Sequence, residues 1–269
     1  MTTDRLQLVR SFLAHDDGMT SASFSPDGQT LATGGYDCHI RLWDTRTWQE
    51  ERVLSGHRRG EVAFSPDGSR LISGGLHKDA DVFDTSTWQI VNTLDGTNGV
   101  WALDFRPDGS EVILVEPAEE MEGRLHRPIE FWDINTWAAT GTADIGVDSV
   151  YGLAFSPNGK TVAFPHSPNG LVSIWSADFR QKLTSFPAHD LATWDATFSP
   201  DGTLLATGGA DNVARIWDTS DWAMKHEMKF EAAGADPLYN DAVLCAAFSP
   251  DGKLLVTGGL DGVLTVWRL

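Results

Sequence analysis

The chain has 269 residues, a formal net charge of −18, and 41% hydrophobic residues with 10% aromatic. That apolar content excludes a disordered acidic tail, the acidic balance argues against a nucleic-acid partner, and two cysteines make no disulfide framework. No apolar run reaches the roughly 18 residues of a membrane span, and Met1-Thr2-Thr3-Asp4-Arg5 lacks the basic-then-apolar order of a signal peptide. A cytoplasmic location with no membrane partner is expected. One oddity needs explaining: 11 Trp stand against 3 Tyr.

In chain order, a strand-like stretch, Leu6 to Leu13, precedes His15, and then a pentad begins to repeat. Phe24-Ser25-Pro26-Asp27-Gly28 recurs at Phe64–Gly68, Phe198–Gly202 and Phe248–Gly252, with variants Phe105-Arg106-Pro107-Asp108-Gly109 and Phe155-Ser156-Pro157-Asn158-Gly159. The steps between the Phe residues are 40, 41, 50, 43 and 50. Pro sets φ at the first corner of a turn, Asp or Asn bonds back to the backbone, and Gly takes the positive φ that follows. Short β-type runs flank each pentad. In unit five they are Ala192–Phe198 before it and Leu204–Thr207 after it, then a third run Ala214–Asp218 and a fourth after Trp222. Each unit therefore reads as four strands, and about 45 residues per unit is the period of a four-stranded propeller blade.

Third strands close on Trp43-Asp44, Trp132-Asp133 and Trp217-Asp218, or on the variants Phe83-Asp84, Trp175-Ser176 and Trp267-Arg268. Gly56-His57 opens a unit, and His15 and His189 hold equivalent places. With these motifs over essentially its whole length, the chain resembles the WD-repeat β-propeller family. The resemblance implies an all-β fold: residues 1–269 as a single six-bladed propeller of four-stranded antiparallel blades. The last unit stops after its third strand, so the N-terminal strand is expected to complete the last blade, as closure in the family resembles a strap. Closure removes sheet edges that would otherwise pair with other chains.

Unit one carries His15, Thr33, Asp37 and Trp43, and unit five carries His189, Thr207, Asp211 and Trp217, both at steps of 18, 4 and 6. A hydroxyl, an imidazole and a carboxylate invite a hydrolase reading. The preferred reading is structural, because the set occurs twice in one ring and resembles the family's hydrogen-bond tetrad. Unit six keeps Thr257, Asp261 and Trp267 without His; unit two keeps His57 and Ser73, with His77 at the Asp place and Phe83 for Trp. Unit three keeps Trp132 alone, and unit four is expected to have no His or hydroxyl partner for Trp175. His77, Asp79 and Asp81 read as a polar edge, and Cys38 and Cys245 as inert thiols. No cofactor or metal is expected.

Strand alternation puts the pentads at the bottom and the opposite turns at the top. Two top-face loops are long. From Leu114 to Trp132 takes 18 residues against 10 in units one, five and six, and includes Glu116–Gly123. Trp222 to Phe248 takes 26 against 16 to 18 elsewhere, and includes Ala232–Pro237. Four residues before each pentad Phe stand Thr20, Gly60, Trp101, Tyr151, Trp194 and Leu244. Before the turn Asp stand Tyr36, Leu76, Ala210 and Leu260. In the family these places resemble the rim where partner peptides dock, which marks Trp101, Tyr151, Trp194, Leu244, Tyr36, Leu76 and Leu260 as candidate contacts. Packing between blades is the competing reading, since the first set shares strand parity with the pentad Phe. Arg58 and Arg59 on a top loop offer a local acidic contact.

The expected function is a non-enzymatic protein-interaction scaffold, monomeric by itself, binding a peptide or protein segment on its top face. Two alternatives stand: a sensor domain of a larger signalling system, and a metal-dependent propeller hydrolase. The second is disfavoured because the channel mouth reads as apolar or small, with Asp148 and Asp195 merely nearby. Nine of the tryptophans recur with the repeat, and Trp101 and Trp194 remain.

Overall fold

In the computed structural model, residues 6–76, 78–95, 97–117, 119–121, 124–145, 150–230 and 242–269 are described. The second long loop at Ala232–Pro237, and His77 and Asp148, fall outside them. Strand β1 (Gln7–Leu13) comes first. Blade one holds β2 (Met19–Phe24), β3 (Thr30–Gly35), β4 (His39–Asp44) and β5 (Gln49–Ser55). Blade two holds β6 (Glu61–Phe64), β7 (Arg70–Gly75), β8 (Lys78–Asp84) and β9 (Gln89–Leu94). Blade three has β10 (Ala102–Phe105) and β11 (Glu111–Val115), a hairpin of β12 (Glu119–Met121) and β13 (Arg124–His126), then β14 (Ile129–Asp133) and β15 (Ala138–Ala143). Blade four holds β16 (Ala154–Phe155), β17 (Thr161–Pro165), β18 (Leu171–Ser176) and β19 (Lys182–Pro187). Blade five holds β20 (Thr193–Phe198), β21 (Leu204–Gly209), β22 (Val213–Asp218) and β23 (Met224–Lys229). Blade six has β24 (Val243–Phe248), β25 (Leu254–Gly259) and β26 (Val263–Arg268).

All six blades are four-stranded and antiparallel, and the fourth strand of blade six is β1. It pairs with β26 from Gln7 opposite Arg268 to Leu13 opposite Val263. The chain is a six-bladed propeller closed by its own N-terminal strand.

The second strand of each blade explains why six blades cohere. Each carries two consecutive apolar residues at 0% exposure: Leu31-Ala32, Leu71-Ile72, Val112-Ile113, Val162-Ala163, Leu205-Ala206 and Leu255-Val256. Neighbours on a strand point to opposite faces. The first of each pair packs against the preceding blade and the second against the following one, so the core is six clusters, one at each junction. Burying one such Leu or Ile contributes about 1.5–3 kcal/mol.

The recurring tryptophans follow from the same geometry. After each third strand, Asp44, Asp84, Asp133 and Asp218 accept backbone N–H bonds through Oδ1 in a tight turn. The turn ends on Trp48, Trp88, Trp137 or Trp222 at φ between 53° and 59°. A left-handed non-glycine residue costs roughly 1–2 kcal/mol, and here the indole packs onto a junction cluster in return. Blade four places Phe179 there at φ 61°.

In blade one, Trp43 Nε1 donates to Thr33 Oγ1 at 3.0 Å, Thr33 meets His15 Nε2 at 2.8 Å, and His15 Nδ1 meets Asp37 at 2.9 Å. Blade five repeats the chain through Trp217, Thr207, His189 and Asp211 at 3.0, 2.8 and 2.8 Å. A proton on His Nδ1 lets every donor find an acceptor in one direction, and burial lowers the His15 pKa and favours that neutral form. Blade six keeps Trp267 to Thr257 at 3.1 Å.

The other blades satisfy the chain differently. In blade two His57 meets Ser73 at 3.3 Å and Asp81 at 3.5 Å. In blade three Trp132 donates to Glu130 on its own strand at 3.0 Å. Blade four corrects the expectation of an unpartnered Trp175: it donates to Ser173 at 3.0 Å, and Ser173 meets His166 at 2.7 Å. These partners escape the spacing rule because they sit two residues before the Trp and at the end of β17. Thr207→Val leaves His189 Nε2 and Trp217 Nε1 buried without a partner, at a cost of about 3 kcal/mol. A lowered urea midpoint at unchanged slope is the expected result, and Ser173→Ala should act the same way in blade four.

Candidate functional site

The first strands of the six blades line a central channel with a cavity of about 500 Å³. Its rim is shaped by β-bulges. In β2, β20 and β24 the pairing skips Thr20, Trp194 and Leu244. A bulge adds one residue to one strand and re-aims its side chain. Strand parity alone would send these residues between blades with the pentad Phe. Tyr36, Trp101, Tyr151, Trp194, Leu244 and Leu260 all line the cavity. Leu76 does not: its backbone pairs with Gly99 and bonds Arg58, and its side chain lies off the lumen.

Three of these residues form an arc. Tyr151 stacks edge-to-face with Trp101 and with Trp194, at 5.0 Å between ring centroids in both pairs. Such contacts contribute about 0.5–1.5 kcal/mol each beyond burial. The indole Nε1 atoms of Trp101 and Trp194 are buried and find no hydrogen-bond partner among the described residues.

Two arginines hold the arc from behind. Arg59 lies 4.1 Å over Trp101 and donates to its carbonyl at 2.9 Å. Arg127 lies 4.8 Å from Trp101 and 4.7 Å from Tyr151, and donates to the Glu116 carbonyl at 3.5 Å. Both are buried. Arg59 is thus part of the wall, while Arg58 remains exposed on the loop. Arg127, which the sequence did not single out, ties the long excursion between β11 and β14 to the rim.

Below the mouth the channel is polar, and Asp195, expected merely nearby, lines it. Glu61, Asp104 and Asp195 line it with Arg59. Glu61 lies 3.6 Å from Arg59. Asp104 accepts the N–H of Phe105 at 2.8 Å and of Phe155 in the next blade at 3.0 Å. Asp195 accepts the N–H of Ala196 at 2.8 Å and of Ala246 in the next blade at 2.7 Å. Burial in the enclosed lumen pushes Asp104 and Asp195 up to about 7 and Glu61 up to about 8, against the smaller pull of the amide bonds and Arg59. Their legible signal was an acidic residue one or three places before a pentad Phe. Among the described residues, no group of three His, Cys, Asp or Glu could hold a metal ion. Nor is any described helix long and apolar enough to cross a membrane.

With the ring, its repeats and its rim in view, the comparisons agree. The family model "WD domain, G-beta repeat" matches residues 6–44, 48–84, 180–218 and 237–268, more than half of the chain. The protein belongs to the WD-repeat family. It is 27% identical over 80% of its length to "Target of rapamycin complex subunit LST8" of Rattus norvegicus, covering 54% of that protein. It is 24% identical over 79% of its length to "WD repeat-containing protein slp1" of Schizosaccharomyces pombe, covering 35% of it. It is 26% identical over 77% of its length to "Autophagy-related protein 16" of Arabidopsis thaliana, covering 39% of it. The chain thus spans about half or less of the length of these relatives.

The channel carboxyls set a pH dependence of unusual sign. A carboxyl whose folded pKa exceeds its unfolded value binds an extra proton when folded. The stability it contributes is full below about pH 4 and is lost as pH rises through the folded pKa. Buried His15 and His166, the latter lowered to about 4, act oppositely and only below their unfolded value of 6.5. Above pH 6.5 the carboxyls therefore dominate. Between pH 6.5 and 8.5 the protein should lose on the order of 2 kcal/mol, discounted for water in the lumen. In urea titrations, a Glu61→Gln, Asp104→Asn, Asp195→Asn variant should lose much less over that range.

Proposed function

We propose that this propeller is a non-enzymatic interaction scaffold that binds a peptide or protein segment across its top face. The observation that carries the reading is the arc of Trp101, Tyr151 and Trp194, the last turned inward by a bulge, at the mouth of the cavity. Packing between blades would not need bulges, and it would not leave two buried indole donors unbonded. Rigid aromatic anchors around a concave mouth supply most of the energy at interface hot spots. Leu244, Leu260 and Tyr36 complete the rim, and Leu76 lies outside the contact.

The name of one relative, a complex subunit, accords with assembly as the working role. The propeller-hydrolase reading finds little support in the channel, because its Asp carboxylates are spent on backbone amides and Glu61 sits beside Arg59. A cytoplasmic, monomeric protein with no cofactor completes the proposal.

The test compares tagged wild-type protein, Trp101→Ala, Trp194→Ala and the off-rim Leu76→Ala as baits in quantitative affinity capture from lysate. The Trp variants should lose the same captured proteins by about tenfold or more, while Leu76→Ala keeps them. Unchanged recovery by folded Trp variants would sink the site assignment.

A further inference from the structure

Neighbouring first strands meet at six junctions around the channel, and side chains staple alternate ones. From blade one to two, Ser21 Oγ accepts the Val62 N–H and Ser23 Oγ accepts the Phe64 N–H, both at 3.1 Å. From three to four the staple is Asp104 on Phe155 at 3.0 Å, and from five to six it is Asp195 on Ala246 at 2.7 Å. All four acceptors stand one or three residues before a pentad Phe. Among the described residues, no first-strand side chain accepts a first-strand N–H across the other three junctions. The ring is built as three stapled pairs of blades.

One pair is held by hydroxyls, which do not titrate here, and two by carboxyls, which do. Each Asp spends Oδ1 on the next N–H of its own strand and Oδ2 on the neighbouring blade. An ionised carboxylate accepts through both oxygens, whereas a carboxylic acid turns one of them into a donor. We propose that Asp104 and Asp195 are proton-operated latches. Ionised, each clamps its pair of blades; protonated, each slackens the junction it spans.

The surroundings leave the latches free to work near neutrality. The charged groups that face them are Arg59 from the loop before β6, Glu61 from β6, and each other across the lumen. The Cys245 thiol on β24 lies close enough to sense Asp195. The lining of β2 and β16 adds Thr20, Ser21, Ala22, Ser23, Phe24 and Ala154, and Tyr36 and Tyr151 stand at the mouth. Among the described residues no cation hydrogen-bonds either Asp, and burial brings both titrations to about pH 7. The latch strands also carry the ends of the aromatic arc. Asp195 follows Trp194 directly, and Asp104 stands three residues after Trp101. Slack at these junctions therefore reaches the rim, whatever binds there. The inference rests on the channel alone and needs no partner.

The experiment is an NMR titration of the full ¹⁵N-labelled chain from pH 5.5 to 9. The amide protons of Phe155 and Ala246 should shift downfield as pH rises, with the midpoint of the Asp104 and Asp195 carboxyl carbons. That of Phe64, on the Ser23 staple, should stay flat, while that of Val62 follows Glu61, its chain neighbour and a hydrogen-bond partner of Ser21. The indole resonances of Trp101 and Trp194 should follow the aspartate midpoint. Asp104→Asn should abolish the Phe155 titration and spare that of Ala246, and Asp195→Asn the reverse. Flat Phe155 and Ala246 amides in the wild type overturn the proposal, as does a titration that survives in the matching Asn variant. The wild-type contrast with the Ser23–Phe64 staple decides the matter even where a variant fails to fold.

Discussion

Every blade of this protein has two apolar faces, and no blade can bury either one alone. The second strands state the constraint residue by residue. Leu31 needs blade six and Ala32 needs blade two, and the same division holds around the circle. A row of such sheets has two unsatisfied ends, so the only arrangement that covers every face is a ring. Closure by β1 on β26 puts the N-terminal strand on the outer edge of the last blade. It also converts a local period into a cooperative whole, since each junction cluster is shared by two blades.

Polar groups buried in that ring must be paired, and the blades meet the demand in unlike ways. The requirement is an acceptor for an indole N–H, which threonine, serine or glutamate can supply. Blades one and five extend the bond into a chain ending on a carboxylate and an arginine: Asp37 with Arg41, and Asp211 with Arg215. Blade three ends after a single bond. Unequal repeats are thus different solutions to one hydrogen-bonding problem, not a decay of structure.

The channel runs the opposite way. Three carboxyls sit where water is scarce, and burial outweighs the bonds that would keep them charged. The buried acids therefore cost stability when ionised, yet two of them hold neighbouring blades together. They sit beneath an aromatic arc whose rings pack edge-to-face.

Much of the fold was legible in the chain. The pentads, their spacing, the third-strand Trp residues and the strap-like N-terminus specify six blades and their closure, because turn chemistry and period-two alternation are local properties. The same holds for nine of the tryptophans, including those carried at positive φ. The site was half legible. The rim residues stood out by position, but their parity pointed between the blades; bulges turn Thr20, Trp194 and Leu244 to the lumen, while Trp101 and Tyr151 stand ahead of their strands. A bulge is a misregister between two strands and has no signature in one of them. Arg127 could not be placed, since its partners Trp101, Glu116 and Tyr151 come together only where blades three and four meet. Nor could Asp104 and Asp195, because the amides they hold are some 50 residues away and adjacent only once the ring has closed. The sequence by itself determined the repeat and the ring; the tertiary structure decided what faces the channel, because that is set by contacts between blades and not within them.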